Sequence, residues 1–217
     1  MKTKLFSLVL ILMLSAPFAI AQSKISFAVL GGINFQNLNG KDIDGDKLVN
    51  DMILGVHAGV NVQIPIAPEF YFQPGLLFAT KGAKNFEASV ADVHKISYIE
   101  LPLNVVYKPL LGKGHLLLGF GPYVAFGIGG KGTLGNNDVE MEFKKIVEAS
   151  DPGGVLYYKA LDAGANIFAG YELEGGIFLQ LDTQLGMLKI NPEDRRISSD
   201  KSSVKNTGFG LSIGYRF

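Results

Sequence analysis

From residue 25 onward the chain alternates apolar and polar or small positions. In 206–217, Thr207, Phe209, Leu211, Ile213, Tyr215 and Phe217 share one parity, and Asn206, Gly208, Gly210, Ser212, Gly214 and Arg216 the other. Neighbouring side chains of a strand point to opposite faces, so such a segment has one greasy face and one small or polar face. Seven further segments follow the rule: 25–36, 53–65, 70–82, 96–109, 115–129, 161–173 and 176–188. In 70–82, Phe72, Leu76, Phe78 and Thr80 oppose Tyr71, Gln73, Gly75, Ala79 and Lys81; in 176–188, Ile177, Leu179, Leu181, Thr183, Leu185 and Met187 oppose Phe178, Gln180, Asp182, Gln184 and Gly186. None of them keeps a helical period. Each is about ten to thirteen residues long, matching a tilted β-strand across a bilayer better than the five or six of a soluble sheet.

The connections alternate in length. Those near 66–69, 110–114 and 174–175 are short, and those near 37–52, 83–95, 130–160 and 189–205 are long. Short turns at one end and long loops at the other predict an all-β, eight-stranded antiparallel up-and-down transmembrane barrel of the outer-membrane type. An even strand number puts both mature termini on the periplasmic side. The opposite polarity, a soluble barrel with a greasy inside, fits the same period. Three features favour lipid outside. Glycine crowds the polar face, as a narrow lumen requires. Aromatics end the apolar face, with Phe72, Tyr107, Tyr171, Tyr215 and Phe217 at the turn end and Phe35, Phe78 and Phe126 at the loop end. The closing residue, Phe217, is of the kind that barrel-assembly machinery reads.

The first residues break the pattern. Met1-Lys2-Thr3-Lys4 is basic, Leu5 to Leu14 is almost wholly apolar, Pro17 follows, and Ala19-Ile20-Ala21 is a small-x-small site before Gln22. This predicts a Sec-type signal peptide over 1–21 and a single barrel domain over 22–217. Composition changes the picture little. Hydrophobic residues are 47% and mean hydropathy is +0.24, with no later run long enough for a membrane helix. The 20 basic and 20 acidic residues balance, which gives no electrostatic reason to expect nucleic acid. The absence of cysteine excludes a disulfide framework, a thiolate metal site and a lipoprotein anchor.

Several segments resemble the PorT-like barrels of Bacteroidetes. They are Tyr98-Ile99-Glu100-Leu101-Pro102-Leu103 with Tyr107-Lys108; Tyr71-Phe72-Gln73-Pro74-Gly75-Leu76-Leu77-Phe78 with Lys81-Gly82; Gly119-Phe120-Gly121-Pro122-Tyr123; and Gly214-Tyr215-Arg216-Phe217. The resemblance implies an outer-membrane eight-stranded barrel. The name-giving member acts in type IX secretion, a role that no residue here carries over by itself.

The inward face gathers ionisable residues: His57, Lys81, Glu100, Lys108, Asp162, Glu172, Asp182 and Arg216. They form either a polar, conducting lumen or a packed, paired plug, and the narrowness of eight strands favours the plug. Lys81 with Glu100 is the expected pair. Asp42, Asp44 and Asp46 in the first long loop offer alternate carboxylates to Ca²⁺, but the glycine falls too early for an EF-hand, and a solvated acidic turn explains them as well. In the longest loop Val139, Phe143, Ile146 and Val147 fall at helical spacing. That stretch reads as a short amphipathic helix or a hairpin extension, serving either as a partner-docking element or as a lid. The three histidines, His57, His94 and His115, are scattered, and no Gly-x-Ser-x-Gly, His-Glu-x-x-His or phosphate-loop motif is present. The expected protein is therefore non-enzymatic and without a cofactor. It acts through external loops on a protein or ligand partner and meets outer-membrane lipid, lipopolysaccharide and the assembly machinery. A small passive channel, a secretion-associated factor and a rim hydrolase are the alternatives.

Overall fold

The computed structural model describes residues 24–85, 91–197 and 199–217. Eight long strands make the barrel: β1 (Ser26–Lys41), β2 (Asp51–Ala67), β3 (Phe70–Lys84), β4 (Val93–Tyr107), β5 (Gly114–Leu134), β6 (Leu161–Glu172), β7 (Ile177–Gly186) and β8 (Ser203–Arg216). Each pairs antiparallel with its neighbours in sequence, and β8 closes on β1 from Ala28↔Arg216 to Lys41↔Ser203. Closure leaves no barrel strand with an open edge, the condition that hydrocarbon imposes on backbone amides. No helix occurs among the described residues. The signal-peptide segment 1–21 lies outside them.

The face assignment follows the alternation. Phe120, Leu181, Leu179, Ile213 and Val56 lie open on the outside, whereas Tyr98, Glu100, Asp162 and Ser212 are buried inside. A continuous outer surface of Leu, Ile, Val and Phe is at rest only in lipid. Aromatics mark its ends. Phe70 tilts against Tyr107 at 4.9 Å, Tyr215 meets Phe217 edge-on at 4.9 Å, and Tyr171 donates to the Leu111 carbonyl at the turn end. Phe35 stacks on Phe209 at 5.1 Å nearer the loops.

Three expectations need correction. Thr80, read from parity as outward, is buried. The β2–β3 register slips between Met52 and His57, and there the Thr80 hydroxyl both accepts from the Val56 amide (2.8 Å) and donates to its carbonyl (3.3 Å). The strands also outrun the apolar pattern: β5 has 21 residues and reaches Leu134, well past Ile128. Beyond the lipid both faces meet water or loops, so alternation stops while the hydrogen-bond ladder continues. Finally, of the two readings of Val139–Val147, the helix does not form and the hairpin extension does. β5 turns at Gly135 and returns as Asn137–Val139. Met141–Phe143 then pairs in parallel with Leu156–Tyr158, and Ile146–Val147 with Glu193–Asp194. Pairing across loops satisfies these amides more completely than one isolated helical turn could.

Candidate functional site

The lumen is filled in layers, and the strand order of each residue gives its level. At the turn end, Glu172 closes β6 and Arg216 closes β8, with Lys108 just past β4. Lys108 Nζ lies 2.6 Å from Glu172 Oε1, and Arg216 Nε 2.9 Å from Oε2. Arg216 also donates to Asn61 and Gln73. Three of the residues expected in a lumen network are thus one cluster, opening on a wide vestibule lined by Lys24, His115 and Glu174.

Above it sits an apolar plug of Ala28, Val106, Leu117, Phe168 and Phe178. Its rings fit because glycines face them. A Cβ on Gly119 would lie 2.1 Å from the Phe168 ring, and one on Gly214 2.2 Å from that of Phe178. Phe168 was not singled out in the sequence, although it shares the parity of Asp162 and Asn166. Its inward placement was legible from register alone.

The next layer is polar. Gln180, Asp182 and Gln184 alternate inward along β7, facing Asn34, His57, Asn104, Asn166 and Ser212 around an internal cavity of about 60 Å³. His57 Nε2 is 2.7 Å from the Ser212 hydroxyl, a contact made across 155 residues by barrel closure and invisible to local motifs. Higher still, Lys81 and Glu100 meet at 2.7 Å, and Asp162 stands 3.4 Å from the same ammonium. Gln184 donates to Glu100 Oε1, and Tyr123 and Asn206 donate to Asp162. The rings of Tyr123 and Tyr98 face the Lys81 ammonium at 4.3 and 5.4 Å. Lys81 has no exposed surface at all. Asp182 belongs to neither ion cluster, so the expected network is two clusters and one separate carboxylate.

The loop end carries a cap. Leu156 and Tyr158 from the longest loop, Ile190 from the last loop, Ala91 from the connection before β4, and Leu38, Ala83, Ile96 and Val204 from the strands form one buried apolar cluster over the ion layer. Met141 and Phe143 pack on its side. Phe143 lies over Gly127, where a Cβ would come within 2.6 Å of its ring. Val147 is fully buried, and Ile146 presents the exposed side of that strip. Backbone bonds from Lys159 N to Ile190 O and from Lys201 N to Ile43 O tie three loops together. On the outer surface Arg195 bridges to Glu148 at 2.7 Å, and Arg196 grips Asp194. Lys144 donates to Asp151 at 2.6 Å, a bond that holds the Asp151 carboxyl below its usual range. In the first long loop, Asp42 Oδ1 accepts from the amides of Asp44, Gly45 and Asp46. That carboxylate organises a turn, and the described residues contain no gathering of acidic or histidine side chains suited to a metal.

His94 is buried in the cap, beyond the ring of Phe35, Phe78 and Phe126. Its Nε2 contacts the Ala91 carbonyl, which can only accept, so Nε2 carries the proton and Nδ1 accepts from the Tyr158 hydroxyl at 2.5 Å. Burial holds the imidazole below its ordinary value of 6.5. A base with a depressed folded value favours the closed cap above that pH and loses this contribution as pH falls below it. Hydrogen exchange over 91–96 should therefore accelerate between pH 8 and pH 5, and H94Q should flatten the change; equal protection at both pH values in the unmodified chain would contradict this.

Among solved structures, the chain is similar to Ail, the attachment invasion locus protein of Yersinia pestis, in complex with the heparin analogue sucrose octasulfate. The identity is 12%, over 90% of this chain and 100% of that one, with a TM-score of 0.40. It is similar also to the outer membrane protein OprG from Pseudomonas aeruginosa, at 12% identity over 88% of this chain and 95% of that one, with a TM-score of 0.45. No curated protein matches the chain. A family model described as outer membrane protein beta-barrel domain matches residues 6–217. The chain therefore belongs to the outer membrane β-barrel domain family, and its place is the outer membrane.

Proposed function

We propose that this barrel is a closed, non-enzymatic scaffold that works through the cap on its long loops, which engages a protein or ligand partner outside the cell. The observation that carries this reading is the double seal of the lumen, with the Phe168–Phe178 plug below and the Leu38–Tyr158–Ile190 cluster above. A path for ions would have to cross both apolar layers. A cap built from three loops and cross-linked by Arg195–Glu148 and by parallel strand pairs is an ordered surface, the kind that binds with little ordering cost. Against catalysis stands the burial of the His57–Ser212 contact inside the sealed lumen, where Ser212 is 1% exposed.

The reading includes an export signal over 1–21, a mature domain from 22, periplasmic termini and extracellular loops. Its support is the small-x-small site and the even strand number. Assembly by the barrel machinery and contact with lipopolysaccharide belong to the same reading. Membership of the PorT-like group is supported by Tyr98–Tyr107 forming the C-terminal part of β4, with Glu100 in the ion layer.

Two measurements test it. In planar bilayers the purified barrel should give no stable unitary current, whereas regular steps in KCl would favour the passive channel. Crosslinking in native membranes should yield adducts that vanish when 136–155 is replaced by a short turn; adducts unchanged by that replacement would remove the cap from the account.

A further inference from the structure

The sealed compartment between plug and cap does not balance its charge. It holds one ammonium, Lys81, against three carboxylates, Glu100, Asp162 and Asp182. Lys81 serves the first two. Asp182, on β7, faces the internal cavity, and no cationic side chain among the described residues lies in bonding range of it. The cavity wall is also rich in acceptors. Asn34 spends its amide nitrogen on the Thr80 carbonyl and Asn166 on Asn104 Oδ1, which leaves Asn34 Oδ1 and Asn166 Oδ1 without a donor. Both side chains are more than nine-tenths buried and line the same cavity as Asp182. Asp182 is half-buried and takes a hydrogen bond from Ser212, but that hydroxyl does not neutralise it, and a carboxylate beside buried carbonyl oxygens that lack a donor favours a positive species among them.

We propose that this cavity binds one alkali-metal cation, held by the Asp182 carboxylate with the side-chain oxygens of Asn34 and Asn166 and with water completing its shell. The donor set argues for a monovalent ion. It has a single carboxylate outside the ion pairs among neutral oxygens, whereas Ca²⁺ sites draw on several carboxylates, and among the described residues no three acidic or histidine side chains are placed to share one metal ion. The about 60 Å³ available accommodates an ion with a few waters. The charged or titratable groups facing Asp182 are Glu100 on β4, Lys81 on β3, whose ammonium is engaged by Glu100 and Asp162, and His57 on β2, the last reached through Ser212 on β8. A proton on His57 or Asp182 is the rival neutraliser.

The test is the unfolding midpoint of the full barrel refolded in detergent at fixed pH and ionic strength, with Na⁺ or K⁺ exchanged for a bulky tetraalkylammonium. Above saturation, each tenfold rise in alkali cation should raise the folding equilibrium constant about tenfold. D182N should abolish that dependence. A crystal soaked in Tl⁺ should show an anomalous peak beside Asp182, which decides the matter even if D182N does not fold. A midpoint that ignores the cation and follows pH would assign the missing charge to a proton, and a Tl⁺ soak without a peak in the cavity would likewise overturn the proposal.

Discussion

Replacing Lys81 by methionine should cost the barrel about 3–5 kcal/mol, the range seen when one partner of a buried ion pair is removed. The reason is what stays behind. Glu100 and Asp162 are both essentially unexposed and share this single ammonium, so K81M leaves two uncompensated carboxylates beneath an apolar cap. The rings of Tyr98 and Tyr123 lose their cation as well. The effect should read out as a lower urea midpoint in detergent and as loss of heat-modifiable gel mobility. Adding E100Q and D162N to K81M should recover much of the loss, because a neutral, hydrogen-bonded cluster escapes the desolvation cost. A K81M barrel within about 0.5 kcal/mol of the parent, the range of an ordinary surface change, would show that the layer is wet and screened.

The second large effect lies in the plug. F168A should cost about 3–5 kcal/mol, since a buried ring is lost and the curved wall cannot collapse onto the void. G119A should cost about 1–3 kcal/mol for the opposite reason: its methyl would sit 2.1 Å from the Phe168 ring, which must leave its rotamer. The two are coupled. In G119A/F168A the methyl enters space the ring has vacated, so the double variant should be more stable than the sum of the single losses. Strict additivity in a double-mutant cycle would mean that the glycine is there for strand curvature and not for the ring.

Barrel closure, strand number and the inward set were legible because period two fixes the face of every residue once a strand is named. Lys81 and Glu100 fall on neighbouring strands, β3 and β4, so parity and adjacency were enough to pair them. Asp162 reaching the same ammonium from β6 was not legible, because it depends on how far side chains converge across a narrow lumen. The His57–Ser212 contact depends in the same way on closure of β8 onto β1. Thr80 broke parity through a bulge, which leaves no mark in the apolar pattern. The loops were least readable. Val139, Phe143 and Ile146 have helical spacing, yet the amides of this segment find partners on Leu156–Tyr158 and Glu193–Asp194, more than ten residues away. Cap residues such as Leu156 and Ile190 show no period because each arrives from a different loop.

The greasy face of each strand meets lipid and the lumen face does not. Nitroxide labels placed singly along β7 and β8 in reconstituted bilayers measure this directly. Oxygen accessibility should be high at Leu179, Leu181, Leu211 and Ile213 and low at Gln180, Gln184, Gly210 and Ser212, alternating with period two. Accessibility to oxygen that is uniform along the strands, or highest at Gln184 and Ser212, would contradict the structure's central claim.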